Sequence, residues 1–103
     1  MSDNSFAVYV LEQLADCPGI SSRKMFGGVG LYCNGTFFGI ISDDVFYIKT
    51  NAQTRDEYIK RGMKPFCPSA KQTLKNYYEV PAEIIDDRNE LRVWVLRSIQ
   101  CLS

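Results

Sequence analysis

Asn34-Gly35, set between Lys24–Cys33 and Thr36–Ser42, constrains this chain more than any other dipeptide in it. A two-residue hairpin turn of type I′ needs positive φ at both central positions, which asparagine tolerates and glycine adopts without steric cost. Both flanking runs are rich in aromatic and aliphatic residues, so they are expected to pair as antiparallel strands. Asp43-Asp44 offers a second tight turn before a third run, Val45–Lys49. Consecutive hairpins make a three-strand meander, which argues against the parallel βαβ unit of nucleotide-binding α/β folds.

Helical spacing appears on either side of this meander. Phe6, Val10, Leu14 and Cys17, reinforced by Ala7 and Leu11, predict a first helix after the cap-rich Ser2-Asp3-Asn4-Ser5, with Pro18-Gly19 as its stop. Thr50 with Gln53 fits a capping box, Asn51 is a rival cap, and Gly62 ends a second helix at Arg61. Lys64-Pro65-Phe66-Cys67-Pro68 can neither continue a helix nor sit in the middle of a sheet, and reads as an extended connection. Gln72–Val80 is then a fourth strand. Pro81–Ile85 suits a first helical turn, and Asp87 with Glu90 opens a final helix to about Cys101, its buried stripe marked by Leu91, Trp94 or Val95, and Leu102. The expected architecture is one α+β domain over residues 1–103, in two layers. An antiparallel sheet, the three-strand meander plus at least one further strand, packs with about three helices.

Charge narrows the functional classes. Twelve Lys and Arg balance twelve Asp and Glu, so the long-range attraction that a phosphate backbone or an anionic membrane would supply is missing. Direct nucleic-acid binding and membrane insertion are both disfavoured, and a cytoplasmic address is expected. The chain has no histidine, and Cys17, Cys33, Cys67 and Cys101 lack metal-ligand spacing. They read as reduced thiols, no cofactor is implied, and no metal site or catalytic group stands out. A serine–histidine triad is impossible, and the paired acids Asp43-Asp44 and Asp86-Asp87 have structural work at a turn and a helix start.

The glycine cluster Gly27-Gly28-Val29-Gly30 lacks the Gly-Lys-Ser/Thr of a phosphate loop and the strand-to-helix context of a dinucleotide fingerprint. A bulge or the close approach of another backbone is the preferred reading. Phe37-Phe38-Gly39-Ile40-Ile41 is apolar on both alternating faces, so its second face calls for cover by a helix or by a partner, including a second copy of this chain. Arg23-Lys24 before Met25-Phe26, with Lys60-Arg61 and Lys64, reads either as solvated charge or as a recognition patch for an acidic or aromatic partner.

These residues carry a resemblance. Arg23-Lys24-Met25-Phe26-Gly27-Gly28-Val29-Gly30-Leu31-Tyr32, Phe38-Gly39, Asp43-Asp44 and Phe46-Tyr47-Ile48-Lys49 resemble the N-terminal domain of the TfoX/Sxy family of bacterial competence regulators. The similarity continues through Arg55, Tyr58, Gly62-Met63-Lys64-Pro65-Phe66, Tyr77-Tyr78-Glu79-Val80-Pro81 and Asp86-Asp87 to Leu91 and Trp94. The resemblance implies a compact α+β domain and a role in activating DNA-uptake genes together with the cyclic-AMP receptor protein. Full-length members carry a second domain after this one, whereas this chain ends at Ser103, as an excised domain or a stand-alone member would.

The expected function is a non-enzymatic protein-interaction module of a transcriptional regulator. The candidate partner-binding residues are Arg23, Lys24, Met25, Phe26, Gly27, Gly28, Arg55, Tyr58, Tyr77 and Tyr78, the partner being the cyclic-AMP receptor protein or other transcription machinery. A homodimer is a further possibility. The alternatives are a small-ligand sensor with the glycine-rich strand and Phe26, Tyr77 and Tyr78 lining a pocket, a stand-alone family member of unrelated regulatory role, and an enzyme using a thiol such as Cys33 or Cys67, which would need a depressed pKa.

Overall fold

The computed structural model describes residues 5–25, 28–69 and 72–100. The elements run α1 (Ser5–Gln13), β1 (Ile20–Met25), β2 (Gly28–Cys33), β3 (Thr36–Ser42), β4 (Val45–Lys49), α2 (Ala52–Lys60), β5 (Pro65–Ser69), β6 (Gln72–Glu79), α3 (Ala82–Ile85) and α4 (Arg88–Gln100). One antiparallel sheet has the order β1-β2-β3-β4-β6-β5. The α+β class is therefore as expected, with strands β1–β4 in a meander.

Both tight turns take the backbone that their residues favour. Asn34 and Gly35 have φ of 51° and 84°, and Asp43 and Asp44 reach 52° and 60° without any glycine. Aspartate is among the few residues that enter this left-handed region readily.

Three sequence expectations need correction. The run Lys24–Cys33 is not one strand: it is divided between two antiparallel strands, Met25 pairing with Gly28, and β1 begins upstream at Ile20. Pro65–Ser69 is a strand rather than a connection; it occupies an edge, where an absent N–H breaks no ladder. The cap of α2 is Asn51 and not Thr50. Asn51 Oδ1 accepts from the N–H groups of Gln53 (3.0 Å) and Thr54 (2.9 Å), while the Thr54 hydroxyl oxygen accepts from Asn51 N–H (2.9 Å). Thr50 is buried instead, its hydroxyl donating to the carbonyl of Asn76 (3.0 Å).

Other boundaries move less. The first helix ends at Gln13, short of Cys17, in a tightened tail where Ala15 N–H donates to Glu12 O (3.2 Å). The helices are α1, α2, the four-residue α3 and α4. Asp87 caps α4 as expected, Oδ1 accepting from Asn89 (3.0 Å) and Glu90 (3.2 Å). Residues 2–4, Cys101 and Leu102 lie outside the described residues.

A core forms between the helices and one sheet face. It joins Ala7, Val10 and Leu14 of the α1 region, Tyr58 of α2, Ile84 and Ile85 of α3, and Leu91, Trp94 and Val95 of α4. From the sheet come Leu31, Phe38, Ile41, Phe46 and Ile48. Arg61, at the C-cap of α2, lies over the Trp94 ring (5.2 Å) and pairs with Glu83 of α3 (3.7 Å), linking three helices.

The apolar double face of β3 has an internal cause. Leu31 opposes Gly39 and Tyr32 opposes Phe37, so Phe38 is one residue more than β2 supplies. This β-bulge shifts the alternation. Phe38 and Ile41 both enter the core, Phe37 and Ile40 take the opposite face, and the hydroxyl of buried Ser98 donates to the carbonyl of Phe38 (3.4 Å).

Candidate functional site

The face of the sheet away from the core carries rings and cations. Pairing partners in an antiparallel sheet share a face and alternate residues switch it. Tyr32 opposite Phe37, Lys49 opposite Tyr77 and Tyr47 opposite Glu79 therefore lie away from Leu31, Phe46 and Ile48. The rings touch: Tyr32 and Phe37 meet edge to face with centroids 5.5 Å apart, and Phe37 lies 5.7 Å from Tyr77. Arg23 of β1 sits over Tyr32 (5.7 Å) and Lys49 over Tyr77 (5.4 Å). The result is a row of three rings with a cation at each end, built from β1, β2, β3, β4 and β6.

Beside this row Tyr47 packs on Phe66 of edge strand β5, centroids 4.7 Å apart. Ile40 is only 5% exposed, although it stands outside the helix-lined core. Its burial needs no second copy of the chain. The three rings of the row are half-buried, so each keeps surface for a partner.

Burial pushes the phenols of Tyr77 and Tyr47 up from their ordinary value, Tyr47 also through Glu79, Asp43 and Cys67. Both hydroxyls stay protonated at neutral pH and keep their hydrogen-bond donors. At Cys17 burial likewise raises the thiol, against the opposing pull of Arg92, so this cysteine is not an activated nucleophile.

The sequence-based candidates separate in space. Arg23 and Tyr77 belong to the row, and Lys24 is exposed on β1 with the opposite orientation. Tyr58 is 3% exposed, between Trp94 (4.8 Å) and Tyr78 (6.0 Å), so its ring serves the core and is withdrawn from any docking surface. Tyr77 and Tyr78 face opposite sides of the sheet and do not line one pocket. Arg55 reaches toward Asn76 (3.5 Å), away from the row. Met25 closes β1, while Phe26 and Gly27 lie outside the described residues. Gly28 bears out the close-approach reading, since a Cβ there would collide with the carbonyl oxygen of Ile41. Lys60 ends α2 and Arg61 is its C-cap, and Lys64 precedes β5, at the far edge of the sheet from Arg23, so these charges form no single patch.

The sequence reading missed Tyr32, Phe37 and Lys49. A signal for the first two existed: a two-residue turn at Asn34-Gly35 pairs Cys33 with Thr36 and hence Tyr32 with Phe37. Lys49 beside Tyr77 depends on the pairing of β4 with β6, across an intervening helix and strand, which local spacing does not specify.

A family model described as the TfoX N-terminal domain matches residues 12–102. The chain belongs to this family. The match takes in the whole sheet and α2 to α4 of this TfoX N-terminal domain, and so every residue of the aromatic row. Comparison with curated proteins gave no match. Among the described residues no helix is long and apolar enough to cross a membrane.

Proposed function

We propose that this TfoX N-terminal domain is a non-enzymatic protein-interaction module of a regulator of competence genes, working in the cytoplasm with the cyclic-AMP receptor protein. The observation that carries the reading is the ring row of Tyr32, Phe37 and Tyr77 with Arg23 and Lys49 at its ends. Aromatic side chains and arginine are the groups most enriched where proteins bind one another, and clustered rings supply large contact area with few rotatable bonds. The balanced charge of twelve against twelve favours a protein surface over a phosphate backbone.

The test is a titration of the cyclic-AMP receptor protein on competence-promoter DNA with the whole chain. Saturable enhancement of promoter occupancy is expected, and a Phe37→Ser/Tyr77→Ser double variant should weaken it at least about tenfold, as loss of clustered ring anchors does. An unchanged titration with the folded double variant would remove the row from the interface. No binding and no change in occupancy with the wild type would remove the receptor protein as partner.

A further inference from the structure

The two edges of the sheet are unlike. At one edge β5 contains Pro65 and Pro68, which have no N–H to offer, and its pairing with β6 shifts register twice. At the other edge β1 is six residues long, contains no proline, and pairs with β2 in unbroken register from Ile20↔Cys33 to Met25↔Gly28. Among the described residues β1 has a strand neighbour on one side only.

The backbone groups that β1 turns outward can be assigned. Asn34 N–H donates to Gly19 O (2.9 Å), which makes this a hydrogen-bonded pair. Bonded and non-bonded pairs alternate along an antiparallel ladder, so Ser21, Arg23 and Met25 spend their backbone groups on β2. Those of Ile20, Ser22 and Lys24 point to the open edge.

Charge selects what can add there. Arg23 and Lys24 sit on β1, which has no acidic residue. Pairing of β1 with its own copy brings like charges together in a sheet, whereas an acidic strand meets complementary charge. Arg23 also connects the edge to the ring row through its contact with Tyr32.

We propose that β1 is an augmentation edge, on which an extended acidic segment of a protein partner adds as a seventh strand through the outward backbone groups of Ile20, Ser22 and Lys24. The proposal rests on the reading of this domain as a protein-binding module and gives its partner a chemistry. Main-chain hydrogen bonds supply affinity in such pairing, and alternate side chains supply specificity. Acidic residues at alternate positions fall beside Arg23 on the ring face or beside Lys24 on the other.

The probe is a short capped peptide alternating glutamate and valine, titrated into the whole chain, with a lysine–valine peptide as counterpart. Saturable binding of the acidic peptide alone is expected, with amide exchange slowed at Ser22 and Lys24. Ser22→Pro removes an outward N–H and no bond to β2, so it should retain the wild-type unfolding transition and lose peptide affinity at least about tenfold. Lys24→Glu, which leaves the backbone intact, should weaken the acidic peptide and admit the lysine–valine one. Equal binding of both peptides, or unaltered binding by folded Ser22→Pro, would overturn the proposal. So would a single-stranded oligonucleotide that competes with the peptide and still binds Ser22→Pro, because polyanion attraction would then suffice. The Phe37→Ser/Tyr77→Ser variant separates the two readings. Peptide binding that survives in it while promoter occupancy is lost keeps the edge distinct from the row, and failure of the peptide with a normal promoter titration refutes the edge alone.

Discussion

A Cβ at position 39 would stand 2.8 Å from the carbonyl oxygen of Tyr47 and 3.2 Å from both Ile48 Cγ2 and Phe46 Cε1. Backbone and two packed core side chains must all give way to admit it. Gly39→Ala is therefore expected to cost about 1–3 kcal/mol, in the range for overpacking, and a lowered urea midpoint at unchanged slope checks it. Tyr77 and Tyr47 set a different residue-scale expectation. Their phenol pKa values are raised from 10.0, chiefly by burial, so the folded state holds these protons more tightly than the unfolded chain. That contribution to stability is complete below the unfolded value and is lost as pH rises through the folded one. Urea midpoints should fall above about pH 10, and Tyr77→Phe should flatten part of the fall; a fall of undiminished size in that variant would count against burial of Tyr77 as its source. Tyr77 was legible in the sequence as a candidate contact, but its division from Tyr78 was not. Two adjacent tyrosines in a strand look alike until the pairing of β6 with β4 says which face meets the helices.

Among elements, α2 depends on its first turn, because its mean hydropathy is low and its buried residue is Tyr58. Asn51→Ala removes the acceptor for two otherwise unpaired N–H groups and should cost about 1 kcal/mol. Thermal unfolding followed by Trp94 fluorescence measures this, since Tyr58 of α2 packs 4.8 Å from that ring. Thr50→Val tests the corrected assignment: with Thr50 as a buried donor to Asn76, it should destabilise without loosening the start of α2. The turns at Asn34-Gly35 and Asp43-Asp44 could be read from sequence because their backbone demand is local and few residues meet it. β1 could not. Ile20-Ser21-Ser22-Arg23 has neither strong strand propensity nor apolar alternation, and it is a strand because β2 offers it a partner. β5 was obscured by Pro65 and Pro68, which forbid a central strand and are tolerated at an edge, and sequence order does not say which strands lie at edges.

For the whole molecule, the core lies on one side of the sheet, and the strands differ in how many neighbours shield them. β3 and β4 are central, have partners on both sides, and contribute Phe38, Phe46 and Ile48, all fully buried. Among the described residues β1 and β5 have a strand partner on one side only. Amide exchange should therefore be slowest at the centre of the sheet, where opening requires unfolding of the core, and faster toward both edges. Within β1 the expectation is sharper than a general gradient. Arg23 and Met25 donate inward to β2 and should be protected, whereas Ser22 and Lys24 donate to the open edge and should exchange at nearly unprotected rates. A two-residue alternation of slow and fast amides would show an edge held in register but unfilled. Uniformly fast exchange from Ile20 to Met25 would mean that the strand frays, and a frayed strand would have to be ordered before it could template another. Uniform protection would mean that the edge is already covered in the free protein, which leaves no place for an added strand.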